Sequence, residues 1–129
     1  MVVLGVAAIL VLSSKPENSL QASNLSAEIS VDEAYQLYRQ GVFFLDVRTE
    51  DEWDAYHIAG STLIPLEQLT ARLDELPRDQ TIVVVCRSGN RSRSGRGILL
   101  EAGFTQITSV SGGLTAWSNA GYPLEGSSP

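Results

Sequence analysis

The chain's single cysteine, Cys86, ends the apolar run Ile82-Val83-Val84-Val85 and is followed by Arg87-Ser88-Gly89-Asn90-Arg91-Ser92. A thiol attacks only as its thiolate, and the free-cysteine pKa of about 8.5 falls beside helix N-termini and cationic groups. Both influences are expected here. The β-branched run reads as a strand, and Ser92 to Ala102, closed by Gly103, reads as a helix. Backbone N–H groups opening that helix, with the turn at Ser88-Gly89-Asn90, can form an anion cradle, and Gly89 permits the tight curvature. Arg87 and Arg91 add long-range attraction for an oxyanion. The stretch therefore reads as a pocket that binds an anion and presents it to a nucleophilic sulfur.

Taken alone, Val83-Val84-Val85-Cys86 describes a buried, inert thiol equally well. The arginines argue for the site. Arg87, Arg91, Arg93 and Arg96 are four of the nine basic residues, and no acid lies between Asp79 and Glu101. Four like charges this close repel unless an anion joins them. Arg93 and Arg96 fall farther along the helix, where solvation and some steering of anions are expected.

The elements that must position this loop fit one domain, since 129 residues give room for a single core. With 15 acidic residues against 9 basic, the net charge of -6 argues against nucleic acid as a partner. One cysteine excludes an intrachain disulfide and a resolving thiol. One cysteine and one histidine, His57, are too few of the ligands zinc prefers, so no metal is expected.

Val2 to Leu12 is an apolar run, too short to span a bilayer, which takes about 20 residues. It fits the hydrophobic region of an export signal or membrane anchor, so a periplasmic, exported or membrane-anchored protein is expected; an apolar arm on a cytoplasmic protein is the alternative. Membrane contact is expected only through residues 2–12. Residues 1–27 thus read as this segment and a polar linker, 28–125 as the domain and 126–129 as a tail.

Within the domain, Ser30 with Glu33 forms a capping box for a helix closed near Gly41. Val42 to Val47 reads as a buried strand that places Asp46 near its C-terminal end. Thr49 opens a short acidic helix to Tyr56. Leu66, Leu69, Leu73 and Leu76 mark an amphipathic helix ending at Pro77. Gln106 to Val110 is a strand, Ser111-Gly112-Gly113 a turn, Leu114 to Ala120 a helix, and Gly121 onward a tail. Strands alternating with helices imply a mainly parallel α/β sheet covered on both faces, with ligands bound beyond the carboxyl ends of the strands. Asp46 and Cys86 both fall at that edge.

Two anion chemistries suit the loop. Cysteine-dependent phosphatases separate the cysteine from a phosphate-clamping arginine by five residues. Here Ser92 holds that position and Arg91 comes one early, so a smaller group suits the loop better. Cys86-Arg87-Ser88-Gly89-Asn90-Arg91-Ser92 resembles the active-site loop of the rhodanese (sulfurtransferase) family. Leu45-Asp46-Val47-Arg48, Glu52-Trp53 and His57-Ile58-Ala59-Gly60 upstream resemble a second family motif. Ser111-Gly112-Gly113-Leu114-Thr115-Ala116-Trp117 with Gly121-Tyr122-Pro123 resembles a third, and the likeness spans residues 29–124. Tyr56 departs from it, where the family usually has Gly before His.

The resemblance implies a single-domain fold with a five-stranded, mainly parallel sheet and helices on both faces. It implies that Cys86 takes a sulfane sulfur from a small anionic donor such as thiosulfate, holds it as a persulfide and passes it to cyanide or a thiol, free or on a protein. Loop N–H groups from Arg87 to Ser92 would stabilise the persulfide, and no metal or organic cofactor is implied. Asp46 and Arg48 are expected to support the site, Asp46 by bonding backbone amides near the loop and Arg48 by pairing with Glu52. His57 is expected to be structural, and Trp53 and Trp117 to pack in the core or between helices. A phosphatase or arsenate reductase using the same loop, and a non-catalytic persulfide carrier, are the competing readings.

Overall fold

The computed structural model describes residues 25–127, so the apolar run at residues 2–12 lies outside the described residues. The Ser30 hydroxyl accepts the Glu33 N–H at 3.1 Å and starts helix α1 (Val31–Arg39) directly after strand β1 (Glu28–Ile29). Thr49 and Glu52 form a reciprocal capping box that starts α2 (Glu50–Ala55) after strand β2 (Phe43–Asp46). Two short strands follow, β3 (Tyr56–His57) and β4 (Thr62–Leu63). The second half comprises β5 (Ile82–Val85), α3 (Asn90–Glu101), β6 (Ile107–Val110), α4 (Gly113–Asn119) and β7 (Glu125–Gly126).

Five strands form one sheet in the order β1-β6-β5-β2-β4, every neighbouring pair parallel. This is the expected rhodanese-like architecture. The central strand β5 is wholly apolar because both its faces are covered. Ile82, Val84 and Cys86 face one core layer with Leu45, Val47, Leu69 and Leu99 of α3. Val83 and Val85 face the other, with Leu37 of α1 and Leu114 and Trp117 of α4. From β2 the chain goes out to β4 on one side and returns to β5 on the other. The ends of β2 and β5, where Asp46 and Cys86 stand, are therefore the switch point at which such sheets bind ligands.

Two segments differ from the sequence expectation. The leucines from Leu66 to Leu76 do face the core, Leu69 fully buried and Leu76 nearly so. Their backbone, however, is two stretches of 3₁₀ helix, Leu66–Gln68 and Thr70–Glu75, with Arg72 at φ -123° breaking the second. Leucines three apart eclipse on a 3₁₀ turn and still point inward. The chain after Gly121, expected as a tail, forms β7 and pairs antiparallel with β3, Tyr56 opposite Gly126 and His57 opposite Glu125.

Candidate active site

Helix α3 begins at Asn90, two residues earlier than its spacing suggested, with Gly89 as N-cap at φ 111°. A left-handed backbone at that angle suits only glycine. The early start puts Ser92 in the first turn, where it is fully buried against the sulfur. The Gly89 N–H donates to Cys86 Sγ at 3.0 Å, and Sγ lies 3.5 Å from Ser92 Oγ. In that contact the thiol donates, because the Ser92 hydroxyl gives its own proton to the Gly89 carbonyl at 2.9 Å, and the loop closes on itself around the sulfur.

Burial is the largest single influence on Cys86 and pushes its thiol up. The Ser92 hydroxyl and the N–H groups of Ser92, Gly89 and Ser88 together outweigh it and hold the thiol below the ordinary cysteine range. A sulfur surrounded by donors and otherwise dry can hold negative charge, on itself or on an atom attached to it.

The inward aim of those N–H groups depends on α4. Leu114 donates its N–H to the Cys86 carbonyl at 2.8 Å, and Thr115 to the Arg87 carbonyl at 3.0 Å. The first turn of α4 thus takes up the loop's carbonyls on the outside. The approach is so close that a Cβ on Gly113 would lie 2.3 Å from the Cys86 oxygen. The glycine pair at 112–113, read from sequence as a turn, is the seat of the loop.

Asp46 and Arg48 are both fully buried at the end of β2 and pair with each other, Nη2 to Oδ2 at 2.8 Å and Nε to Oδ1 at 3.0 Å. Asp46 also accepts the Arg48 backbone N–H at 3.0 Å. Arg48 donates on to the Tyr56 carbonyl at 2.8 Å, tying β3 to the sheet. The expected pairing of Arg48 with the Glu52 side chain is not formed, Arg48 reaching only the Glu52 carbonyl at 3.4 Å, and the backbone amide that Asp46 bonds is that of Arg48. Two residues after the aspartate, at a strand end, the guanidinium folds straight back on its neighbour's carboxylate.

Glu52 instead reaches α3. Its two oxygens meet Arg91 Nη1 at 2.6 Å and Nη2 at 2.9 Å, a bidentate pair linking α2 to the first turn of α3. Arg91, expected to draw anions, is thereby neutralised. Arg93 pairs with Glu28 and Asn90, and Arg96 donates to the Ile107 carbonyl at 3.3 Å. Acids far away in sequence relieve most of the repulsion that had implied a bound anion. Of the four arginines, only Arg87 has a side chain with no hydrogen-bond or ion-pair partner among the described residues; it is exposed beside Cys86. Ser88 and Asn90 are also exposed on the rim.

His57 sits in a structural setting: Nδ1 lies 2.9 Å from the Trp53 carbonyl, Nε2 lies 3.1 Å from Glu125, and its ring stacks on Trp53. Trp117 is fully buried among Tyr35, Tyr38 and Phe44, as expected of a core residue.

Comparison with known proteins agrees with this arrangement. The family model for the rhodanese-like domain matches residues 30–120. A protein named sulfurtransferase from Allochromatium vinosum is 28% identical over 107 residues, 83% of this chain and 94% of its own. Thiosulfate sulfurtransferase 16, chloroplastic, of Arabidopsis thaliana is 31% identical over 120 residues, 81% of this chain and 98% of its own. The crystal structure of a rhodanese-related protein from Thermoplasma volcanium superposes with a TM-score of 0.72 at 32% identity, covering 77% of this chain and 97% of that one. With the family model spanning most of the chain and the same fold found in a solved relative, the chain belongs to the rhodanese-like domain family.

Proposed function

We propose that this protein moves a sulfane sulfur from a donor such as thiosulfate to cyanide or a thiol through a persulfide on Cys86. Family membership and relatives named as sulfurtransferases support sulfur transfer as the class of reaction. The observation that carries the finer reading is the Gly89 N–H at 3.0 Å from Sγ, within a loop whose other amides turn to the same point.

In the first half-reaction the Cys86 thiolate attacks the sulfane sulfur of thiosulfate. A bond forms between the two sulfurs, the bond to the sulfonate sulfur breaks, and sulfite leaves with that electron pair. The persulfide is then held by the loop amides, as an oxyanion hole holds developing charge. In the second half-reaction the acceptor attacks the outer sulfur and Cys86 leaves as thiolate. The exchange moves one sulfur between nucleophiles, so no organic cofactor or metal is required by its electron balance.

The test is intact mass before and after thiosulfate. The native chain should gain one sulfur atom, cyanide should remove it as thiocyanate, and Cys86→Ser should do neither. A chain that gains no mass with any of several sulfane donors is not working this way.

A further inference from the structure

Beside the loop lies an open depression of about 320 Å³, lined by Glu52, Ala55, Tyr56 and Arg87. Its size is near the lower end for small organic ligands and exceeds what cyanide or thiosulfate needs. Its electrostatics are one-sided. Both oxygens of Glu52 are taken by Arg91, so the acid on the wall is already neutralised. Arg87 is the unpaired cation, and its backbone is pinned by the Thr115 N–H at 3.0 Å on its carbonyl.

The remaining walls are apolar. The Ala55 side chain is exposed there. The Tyr56 ring is held in place over the buried Arg48 guanidinium, 5.1 Å from its centre. Arg87 directly follows Cys86, so a molecule anchored on it lies against the loop that carries the sulfur.

We propose that this depression is the acceptor subsite, built for a small thiol that carries a carboxylate. The carboxylate pairs with Arg87, the carbon skeleton rests on Ala55 and Tyr56, and the thiolate points at the sulfane sulfur. This rests on the persulfide reading of Cys86. The acceptor thiolate attacks the outer, protonated sulfur of the persulfide, a new S–S bond forms, and the S–S bond to Cys86 breaks. The products are the acceptor hydropersulfide and the Cys86 thiolate, with no external oxidant or reductant.

The experiment uses the full chain loaded with thiosulfate, its persulfide verified by intact mass, and follows sulfur removal by 3-mercaptopropionate and by 2-mercaptoethanol. Rates are expressed per thiolate present. The carboxylate thiol should be preferred by roughly two- to fivefold, the size of one exposed ion pair, and the preference should shrink with added salt. Arg87→Gln should abolish the preference. Tyr56→Ala should raise KM for 3-mercaptopropionate more than it lowers kcat.

Equal rates for the two thiols on the loaded native chain overturn the subsite while leaving the persulfide reading intact. A preference that survives Arg87→Gln, in a variant shown by mass to load normally, overturns it too. If Arg87→Gln does not fold, a salt-independent preference in the native chain is the contrary result. A native chain that never loads overturns both readings.

Discussion

Gly113 approaches Cys86 so closely that a Cβ on the glycine would sit 2.3 Å from the Cys86 carbonyl oxygen and 2.7 Å from the Arg87 carbonyl carbon. Those are backbone atoms, which cannot swing aside as a side chain would. Gly113 also has φ +54°, where an L-residue is strained. Gly113→Ala should therefore destabilise the fold by about 3 kcal/mol or more, combining left-handed strain with overpacking. Urea unfolding of the variant measures it. Ala116→Gly, at a partly buried position of the same helix, adds no such clash and should cost only about 1 kcal/mol.

The Glu52–Arg91 pair predicts a pH dependence of stability. The Arg91 guanidinium hydrogen-bonded to Glu52 is the main cause, against burial and aided by Thr49, that lowers the Glu52 carboxyl from 4.5 to about 2. Its folded pKa lies below its unfolded value, so its contribution is complete above about pH 4.5 and is lost as pH falls through about 2. The side chains of Arg91 and Glu52 are 34% and 26% exposed, so screening cuts the contribution to about 1–2 kcal/mol. Glu52→Gln should be less stable than the native chain by that amount at pH 6. The two should converge near pH 2, as read from denaturant midpoints across the range.

Asp46 and Arg48, each with 0% of the side chain exposed, form the one fully buried ion pair among the described residues. Removing either partner strands a charge in the core. Asp46→Asn and Arg48→Met should each cost about 3–5 kcal/mol. The double variant should cost much less than the sum, because two apolar or neutral groups leave no uncompensated charge. A double-mutant cycle in urea checks this; additive costs would mean that the two residues act independently.

The parts of this site that could be read from sequence are those whose causes are local. Thr49 opens the short acidic helix α2, and the uninterrupted apolar run to Val85 marks a strand covered on both faces. Their alternation with helices set Asp46 and Cys86 at the same sheet edge. The partners across the fold were not legible. Glu52 and Arg91 are 39 positions apart, and nothing in either neighbourhood distinguishes an arginine waiting for a substrate anion from one already paired. Arg48 had four acids within four residues, Asp46, Glu50, Asp51 and Glu52, and only the strand end decides among them. The pairing of β7 with β3 involves two residues on each strand, too short for a period-two pattern. The leucine spacing from Leu66 to Leu76 stated a buried face correctly and left the helix type undetermined, since both α and 3₁₀ turns bring such residues inward.

Cys86 titrates below an ordinary cysteine because the Ser92 hydroxyl and three loop amides outweigh its burial. Its reactivity should follow. Iodoacetamide reports on one site without ambiguity, as no other cysteine is present. The alkylation rate of the native chain should rise through a midpoint below that of a free thiol, which is about 8.5. Ser92→Ala removes the hydroxyl 3.5 Å from the sulfur, whose proton can turn from the Gly89 carbonyl to the thiolate once Cys86 ionises, but leaves the amides and the burial, so the midpoint should move upward and the rate at pH 7 should fall. Ser92→Thr, which keeps a hydroxyl at the same position, should restore part of the shift. Ser94→Ala, on the exposed side of α3, should leave the profile where it is. If Ser92→Ala titrates like the native chain, the amides alone set the thiolate and the hydroxyl serves only to close the loop onto Gly89.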